Sequence, residues 1–340
     1  MTIRPQLLMR TLAAAVLSLV IGAPAAMADA PVTLTMYNGQ HKEIGEAIAK
    51  AYEAKTGIHI NIRKGSSNQL ASQIIEEGDR SPADIIYTEE SPPLNNLGEL
   101  GELGLLAKID DATANMVPKE YVGANGTWMG ITARTRIVVY NPKKVDEKDL
   151  PTTVMDFANP EWEGRVGYVP TSGAFQEQAV AILKMHGREA TEEWLTGLKA
   201  FGKTYTNNMV ALKAVEKGEV AAVLVNNYYW YALERERGKL DTKLYYLADG
   251  DAGNLVTISG AAVVKASKHP KETQALLNWM ASEEGQRVIT QTTAEYPLHK
   301  GMVSDRGLKP FDELRPPKIS PADLGNAEEA IELEREVGLL

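Results

Sequence analysis

Strand-like and helix-like stretches alternate from Val32 to Ser282, and that alternation constrains the fold more than any other feature of the sequence. Strands separated by helices build α/β folds with largely parallel sheets. VTLTMY (Val32 to Tyr37) reads as a strand. Past the turn Asn38-Gly39-Gln40-His41, a helix is expected from about Glu43 to Lys55. Ile44, Ile48 and Tyr52 share one face of it and Gly57 ends it. IHINIR (Ile58 to Arg63) is the next strand, and Ser67 is expected to cap a helix carrying Leu70, Ile74 and Ile75. DIIYT (Asp84 to Thr88) is a third strand, with Glu89 and Glu90 just past its carboxyl end. Thr132 to Asn141 forms one long strand stopped by Pro142, and Arg165 to Pro170 a shorter one followed by the loop Thr171-Ser172-Gly173-Ala174. A helix from about Phe175 to Met185 follows. Next come a helix bearing Leu212 and Val215 and a strand that runs into NNYYWY. A second long strand is expected over Leu255 to Ser267, then a helix over Lys271 to Ser282 and another near the C-terminus.

The two long strands are where such a chain would cross between lobes, near residues 135 and 258. Each lobe is then discontinuous: 29–134 with about 259–309, and about 135–258 with 310–340. Lobes joined by a pair of strands open and close over a ligand between them. In open parallel sheets the ligand lies beyond the carboxyl ends of the strands, which is where several of the polar turns fall.

The first 28 residues read as a signal peptide rather than as fold. Arg4 and Arg10 precede an apolar stretch, and Ala26-Met27-Ala28 gives a small-x-small cleavage site. Cleavage leaves 312 of the 340 residues and moves the formal charge from −9 to −11, because the segment holds two arginines and no acid. That acidity argues against nucleic acid, which needs a basic footprint, and suits a ligand that is cationic or shielded in a cleft. With no cysteine anywhere, a cysteine-linked lipid anchor, disulfides, thiolate metal sites and cysteine nucleophiles are all excluded.

The polar side chains at strand ends are His41, Glu89, Ser172 with Gly173 and Ala174, Asn208, Asn226, and Tyr228 with Tyr229. A site of imidazole, carboxylate and phenolates without sulfur suits a hard, highly charged metal, and ferric iron is the natural candidate. Glu89 and two tyrosinates balance a trivalent cation if His41 is neutral. A free phenol titrates near pH ~10, so the metal itself must expel those protons on binding. Ser172 as a helix cap would turn the first amides of its helix toward an anion that completes the metal's shell. Plainer readings stand beside this one: His41 as a turn residue, Glu89 and Glu90 as a solvated acidic pair, Ser172 as an ordinary cap, and an aromatic cluster that stacks on an organic ligand.

Several stretches together resemble one family. YNGQH (Tyr37 to His41), RSPADIIYTEE (Arg80 to Glu90), RVGYVPTSGAF (Arg165 to Phe175), VLVNNYYW (Val223 to Trp230), SGAAVVK (Ser259 to Lys265) and EGQRVIT followed by AEYPL (Glu284 to Leu298) are similar, in order, to blocks of the bacterial transferrins. These are the periplasmic ferric-ion-binding proteins of iron-uptake ABC transporters. The resemblance implies a type II, transferrin-lobe-like periplasmic binding protein fold with two crossing strands as hinge. It implies His41, Glu89, Tyr228 and Tyr229 as iron ligands. It implies Ser172, Gly173, Ala174, Asn208 and Asn226 as holders of a synergistic anion, phosphate rather than carbonate. The expected partners are ferric iron, an inner-membrane ABC permease and an outer-membrane supply route, for a monomer in the periplasm that is not an enzyme. Members often carry glutamine beside the ligand glutamate. Glu90 takes that place here, adding negative charge, supporting the ligands from behind or substituting for Glu89. The competing expectations are a same-fold carrier of a polyamine, thiamine or organophosphonate, and an exported metalloenzyme.

Overall fold

The computed structural model describes Met1, residues 32–98 and residues 104–340. The segment expected to be a signal peptide therefore lies outside the described residues, Met1 apart, and Val32–Leu340 form one compact unit. Its strands are β1 (Thr33–Asn38), β2 (His59–Lys64), β3 (Ile85–Thr88), β4 (Met129–Tyr140), β5 (Val166–Tyr168), β6 (Lys203–Thr204), β7 (Ala222–Asn226), β8 (Lys243–Tyr245), β9 (Val256–Val263) and β10 (Tyr296–Pro297). Its helices are α1 (Lys42–Thr56), α2 (Ser67–Glu77), α3 (Pro92–Gly98), α4 (Asp111–Ala114), α5 (Gly173–Phe201), α6 (Asn208–Lys217), α7 (Asn227–Arg237), α8 (Pro270–Ala281), α9 (Glu283–Thr292) and α10 (Glu328–Glu336). Among the described residues, no helix is long and apolar enough to cross a membrane.

The sheet runs β2-β1-β3-β9-β4-β7-β5-β6, with β8 and β10 added alongside β4. The expectation of largely parallel pairing holds at both ends, where β1 pairs β2 and β3, and β5 pairs β6 and β7, all parallel. The centre differs: β9 is antiparallel to both β3 and β4, and β4 is antiparallel to β7. The reason is that β4 and β9 are crossing strands and not members of a β-α-β unit. Thr132 to Thr135 of β4 pair with β9, whereas Arg136 to Tyr140 pair with β7. The change of partner falls between Thr135 and Arg136. Every residue of β4 and of β9 is buried, as a strand covered on both faces requires.

The apolar side chains gather accordingly. One core draws on Leu34 to Ala133 and again on Val256 to Leu314, around α1, α2, α8 and the first three strands. Two smaller clusters lie beyond the crossing. One packs Phe157, Phe175, Trp194 and Leu198 together with Leu324 to Leu333 of the C-terminal region; the other packs Leu212, Val215, Val223 and Leu233.

Helix limits differ from expectation at two places that matter. α2 is capped by Ser66, not Ser67: the Ser66 hydroxyl accepts from the Gln69 amide at 3.3 Å, and the Gln69 side chain accepts from the Ser66 amide at 3.2 Å. This reciprocal pair satisfies two free amides of the first turn and leaves the Ser67 hydroxyl available. α5 continues to Phe201, but Gly187 breaks it with φ 84° and ψ 174°. That conformation favours glycine, so the first helical stretch ends close to the expected Met185.

Glu334 on α10 is fully buried. Burial pushes its pKa up from the ordinary 4.5 to about 8, with Gln176 and Arg335 opposing. A carboxyl raised in the folded state is tolerated while protonated and weakens the fold as pH climbs from its unfolded value through about 8. Glu334→Gln is therefore expected to gain on the parent progressively from pH 5 to pH 8.5 in urea denaturation, by several kcal/mol across that interval. A constant difference across that range would contradict this.

Candidate functional site

The sequence-predicted residues lie at the ends of five strands or in the first turn of the helices that follow. His41 ends the turn after β1 and is the cap residue of α1, with its imidazole free of any capping bond. Glu89 and Glu90 follow β3. Ser172 caps α5 by accepting from the Phe175 amide at 3.2 Å, and Gly173 and Ala174 form that helix's first turn. Asn208 opens α6, whose cap is Asn207. Asn226 ends β7, and Tyr228 and Tyr229 occupy the first turn of α7.

The fold brings four of these together from opposite sides of the crossing strands. The Tyr228 hydroxyl donates to Glu89 Oε1 at 2.8 Å and lies 3.4 Å from His41 Nε2. His41 Nε2 is 3.8 Å from the same Glu89 oxygen. The Tyr228 and Tyr229 rings are packed 4.2 Å apart, and the Tyr229 hydroxyl accepts from Asn208 Nδ2 at 3.3 Å. The two tyrosines share a region because they stand in the first turn of a helix; on a continued strand they would point to opposite faces. A cleft of about 250 Å³ lies against His41, Tyr228 and Tyr229, bounded also by Met209, Arg235 and Thr293. Glu90 meets the α5 terminus: a Cβ on Gly173 would stand 2.6 Å from Glu90 Oε1. Asn226 accepts from Arg136 Nη1 at 3.3 Å, while its own amide nitrogen and the Asn208 carbonyl oxygen are buried without partners among the described residues.

Electrostatics hold the phenols protonated in this state. Burial, then the Glu89 charge and Tyr229, raise Tyr228 well above its ordinary value. Burial and Glu89 push Tyr229 up to about 12. Glu90 keeps some exposed surface, yet its carboxyl lies deep enough that burial, with Glu89 and Glu177 adding repulsion, raises it to about 8.

Sequence reasoning missed a buried charge cluster directly behind these residues. Arg134 on β4 is fully buried, with Nε and Nη1 lacking hydrogen-bond partners among the described residues. Burial works against its charge, but Glu295, Glu177 and Glu89 outweigh that and raise its pKa. Glu177 on α5 accepts from the Ser91 amide at 3.3 Å and from its hydroxyl at 3.4 Å; Glu295 bonds Thr132. Arg136, also buried, donates to Gln178 Oε1 at 3.0 Å. One signal was present: two arginines at i and i+2 of an otherwise uncharged strand face one side of the sheet. Their acidic partners, far away in sequence, carried none.

Removing one member of a buried charge cluster strands the others. Arg134→Met is expected to lower unfolding stability by about 3 kcal/mol in urea titration, with part recovered by adding Glu295→Gln. A loss under ~1 kcal/mol would show that the cluster does not act as a unit.

Comparison with known proteins agrees with this architecture. Residues 38–287 match the family of bacterial extracellular solute-binding proteins, and the chain belongs to that family. It is 43% identical over 326 residues to the major ferric iron-binding protein of Neisseria meningitidis serogroup B, covering 95% of this chain and 98% of that protein. It is 35% identical to the Fe(3+)-binding periplasmic protein of Serratia marcescens, covering 97% and 96%. Among solved structures it is similar to iron-bound HitA from Pseudomonas aeruginosa, with 60% identity, a TM-score of 0.88, and coverage of 91% of this chain and 100% of that one. The fold is the periplasmic binding protein fold of that type, as the resemblance read from the sequence implied.

Proposed function

We propose that this protein captures ferric iron in the periplasm, after export by a cleavable signal peptide, and delivers it to an inner-membrane ABC permease. In this reading iron is cargo, and the protein is a carrier rather than an enzyme, as the solute-binding family supports. The observation that carries the reading is the Tyr228–Glu89–His41 contact, with Tyr229 packed against it: one imidazole, one carboxylate and two phenols from distant parts of the chain. The names of the Neisseria and Serratia relatives point the same way.

In this reading 29–134 with about 259–309, and about 135–258 with 310–340, are two lobes hinged on β4 and β9. His41 and Glu89 come from the first lobe, and the tyrosines from the second. Glu89 and two tyrosinates neutralise a trivalent ion when His41 is neutral, and hard oxygen donors suit it. Ser172, Gly173, Ala174, Asn208 and Asn226 hold the synergistic anion, phosphate rather than carbonate. The α5 dipole and its first amides favour an anion there. The unpartnered polar atoms of Asn208 and Asn226 supply further contacts.

Loading with iron in phosphate is expected to give a visible tyrosinate-to-iron charge-transfer band that Tyr228→Phe/Tyr229→Phe abolishes; survival of the band in the double variant would overturn the ligand assignment. Burial raises both phenols above their ordinary value near ~10, so an ion bound by two tyrosinates displaces two protons. The apparent iron affinity, corrected for the competing chelator's own titration, should rise about a hundredfold per pH unit between pH 6 and 8. An affinity flat across that interval would exclude phenolate ligation.

A further inference from the structure

Ser67 stands where three parts of the site meet, and nothing in the iron-carrier reading uses it. With capping left to Ser66, the Ser67 side chain turns inward and is 2% exposed. Its hydroxyl accepts from the Glu89 backbone amide at 3.1 Å and donates to Glu90 Oε2 at 3.1 Å. The other Glu90 oxygen lies against Gly173, the first residue of α5. On the opposite side Ser67 supports the turn that carries His41. A Cβ on Gly39 would come within 2.8 Å of the Ser67 Cα, a backbone contact that cannot be relieved by rotating a side chain. Gly39 is thus required by close approach, and its amide is itself fixed to the Tyr87 carbonyl at 2.7 Å.

One hydroxyl therefore joins the backbone of Glu89 to a carboxylate that rests on the helix terminus across the cleft. A serine hydroxyl has one proton to donate and lone pairs to accept, so both bonds form at once and orient each other. We infer that Ser67 and Glu90 form a positioning pair that couples the seat of the anion on α5 to the placement of the Glu89 carboxylate. The inference rests on the proposed iron-and-anion function and deepens it. When an anion occupies the first turn of α5, the Glu90 side chain must adjust to it. The Ser67 hydroxyl carries that adjustment to the peptide that holds Glu89. Neither residue touches the iron in this account; both act through Glu89, and the contact with Gly173 makes the effect depend on the anion.

The test is a phosphate titration of colour development at fixed ferric nitrilotriacetate, on the full chain. It uses the parent, Ser67→Ala, Glu90→Ala, Ser67→Ala/Glu90→Ala and Glu90→Gln, with the Tm of each metal-free protein measured alongside. Each alanine variant is expected to raise the phosphate concentration for half-maximal colour at least fivefold. The double variant should be no worse than the poorer single one, because both break the same bridge. Glu90→Gln keeps an acceptor for Ser67 and a group against Gly173, so it should stay within twofold of the parent at an unchanged Tm. An unchanged phosphate midpoint in both alanine variants would overturn the coupling. So would effects that multiply in the double variant, or a midpoint shift that merely follows a lowered Tm. A parent protein that develops no colour at any phosphate concentration would overturn the iron-carrier reading itself, a separate outcome.

Discussion

The antiparallel pairing of β4 with β9 is the constraint on which the rest of the structure depends. Thr132 to Thr135 are bonded to β9, and from Arg136 onward the same strand joins β7. This one strand therefore fixes where the apolar cores on its two sides stand relative to each other. It also places Arg134 and Arg136 on one face, behind Tyr228, Glu89 and Asn226. A charged residue on such a strand is costly unless opposite charge and hydrogen bonds surround it. Glu177 and Glu295 supply the charge from α5 and from the segment before β10, elements belonging to different cores. The site's electrostatics and the connection between the cores are thus one construction.

The side chains of the candidate site lie within reach of one another. The Tyr228 hydroxyl donates a hydrogen bond to Glu89, His41 lies within reach of both, and Asn208 donates to Tyr229. Burial keeps both phenols protonated. A cation entering such a site exchanges protons for charge, and this ties affinity to pH and offers protonation as a route to release. In the proposed function, the same low-dielectric surroundings that disfavour free phenolates would strengthen their bonds to a trivalent ion.

The placement of His41, Glu89, Ser172, Asn226 and the tyrosine pair at strand ends was legible because periodicity breaks into polar turns there. Their order along the chain resembled one family. The antiparallel centre was less legible, since a long apolar stretch says that a strand is buried without saying which neighbours it has. Ser67 was misread for a local reason. Adjacent serines both qualify as caps, and only the backbone conformation decides that Ser66 takes the role. Arg134 left a trace as a charge in an apolar strand. Glu177 and Glu295 left none, because a helix face and a turn accept glutamate without comment. Long-range electrostatic partnership has no period and no motif.

Iron K-edge X-ray absorption on the protein loaded in phosphate and freed of loose metal tests the central claim most directly. The account predicts a first shell of oxygen and nitrogen only, multiple scattering from one histidine ring, and a phosphorus atom in the outer shell that disappears when carbonate replaces phosphate. Iron lost on desalting, or retained with a hydroxide-only shell and no imidazole scattering, would contradict it.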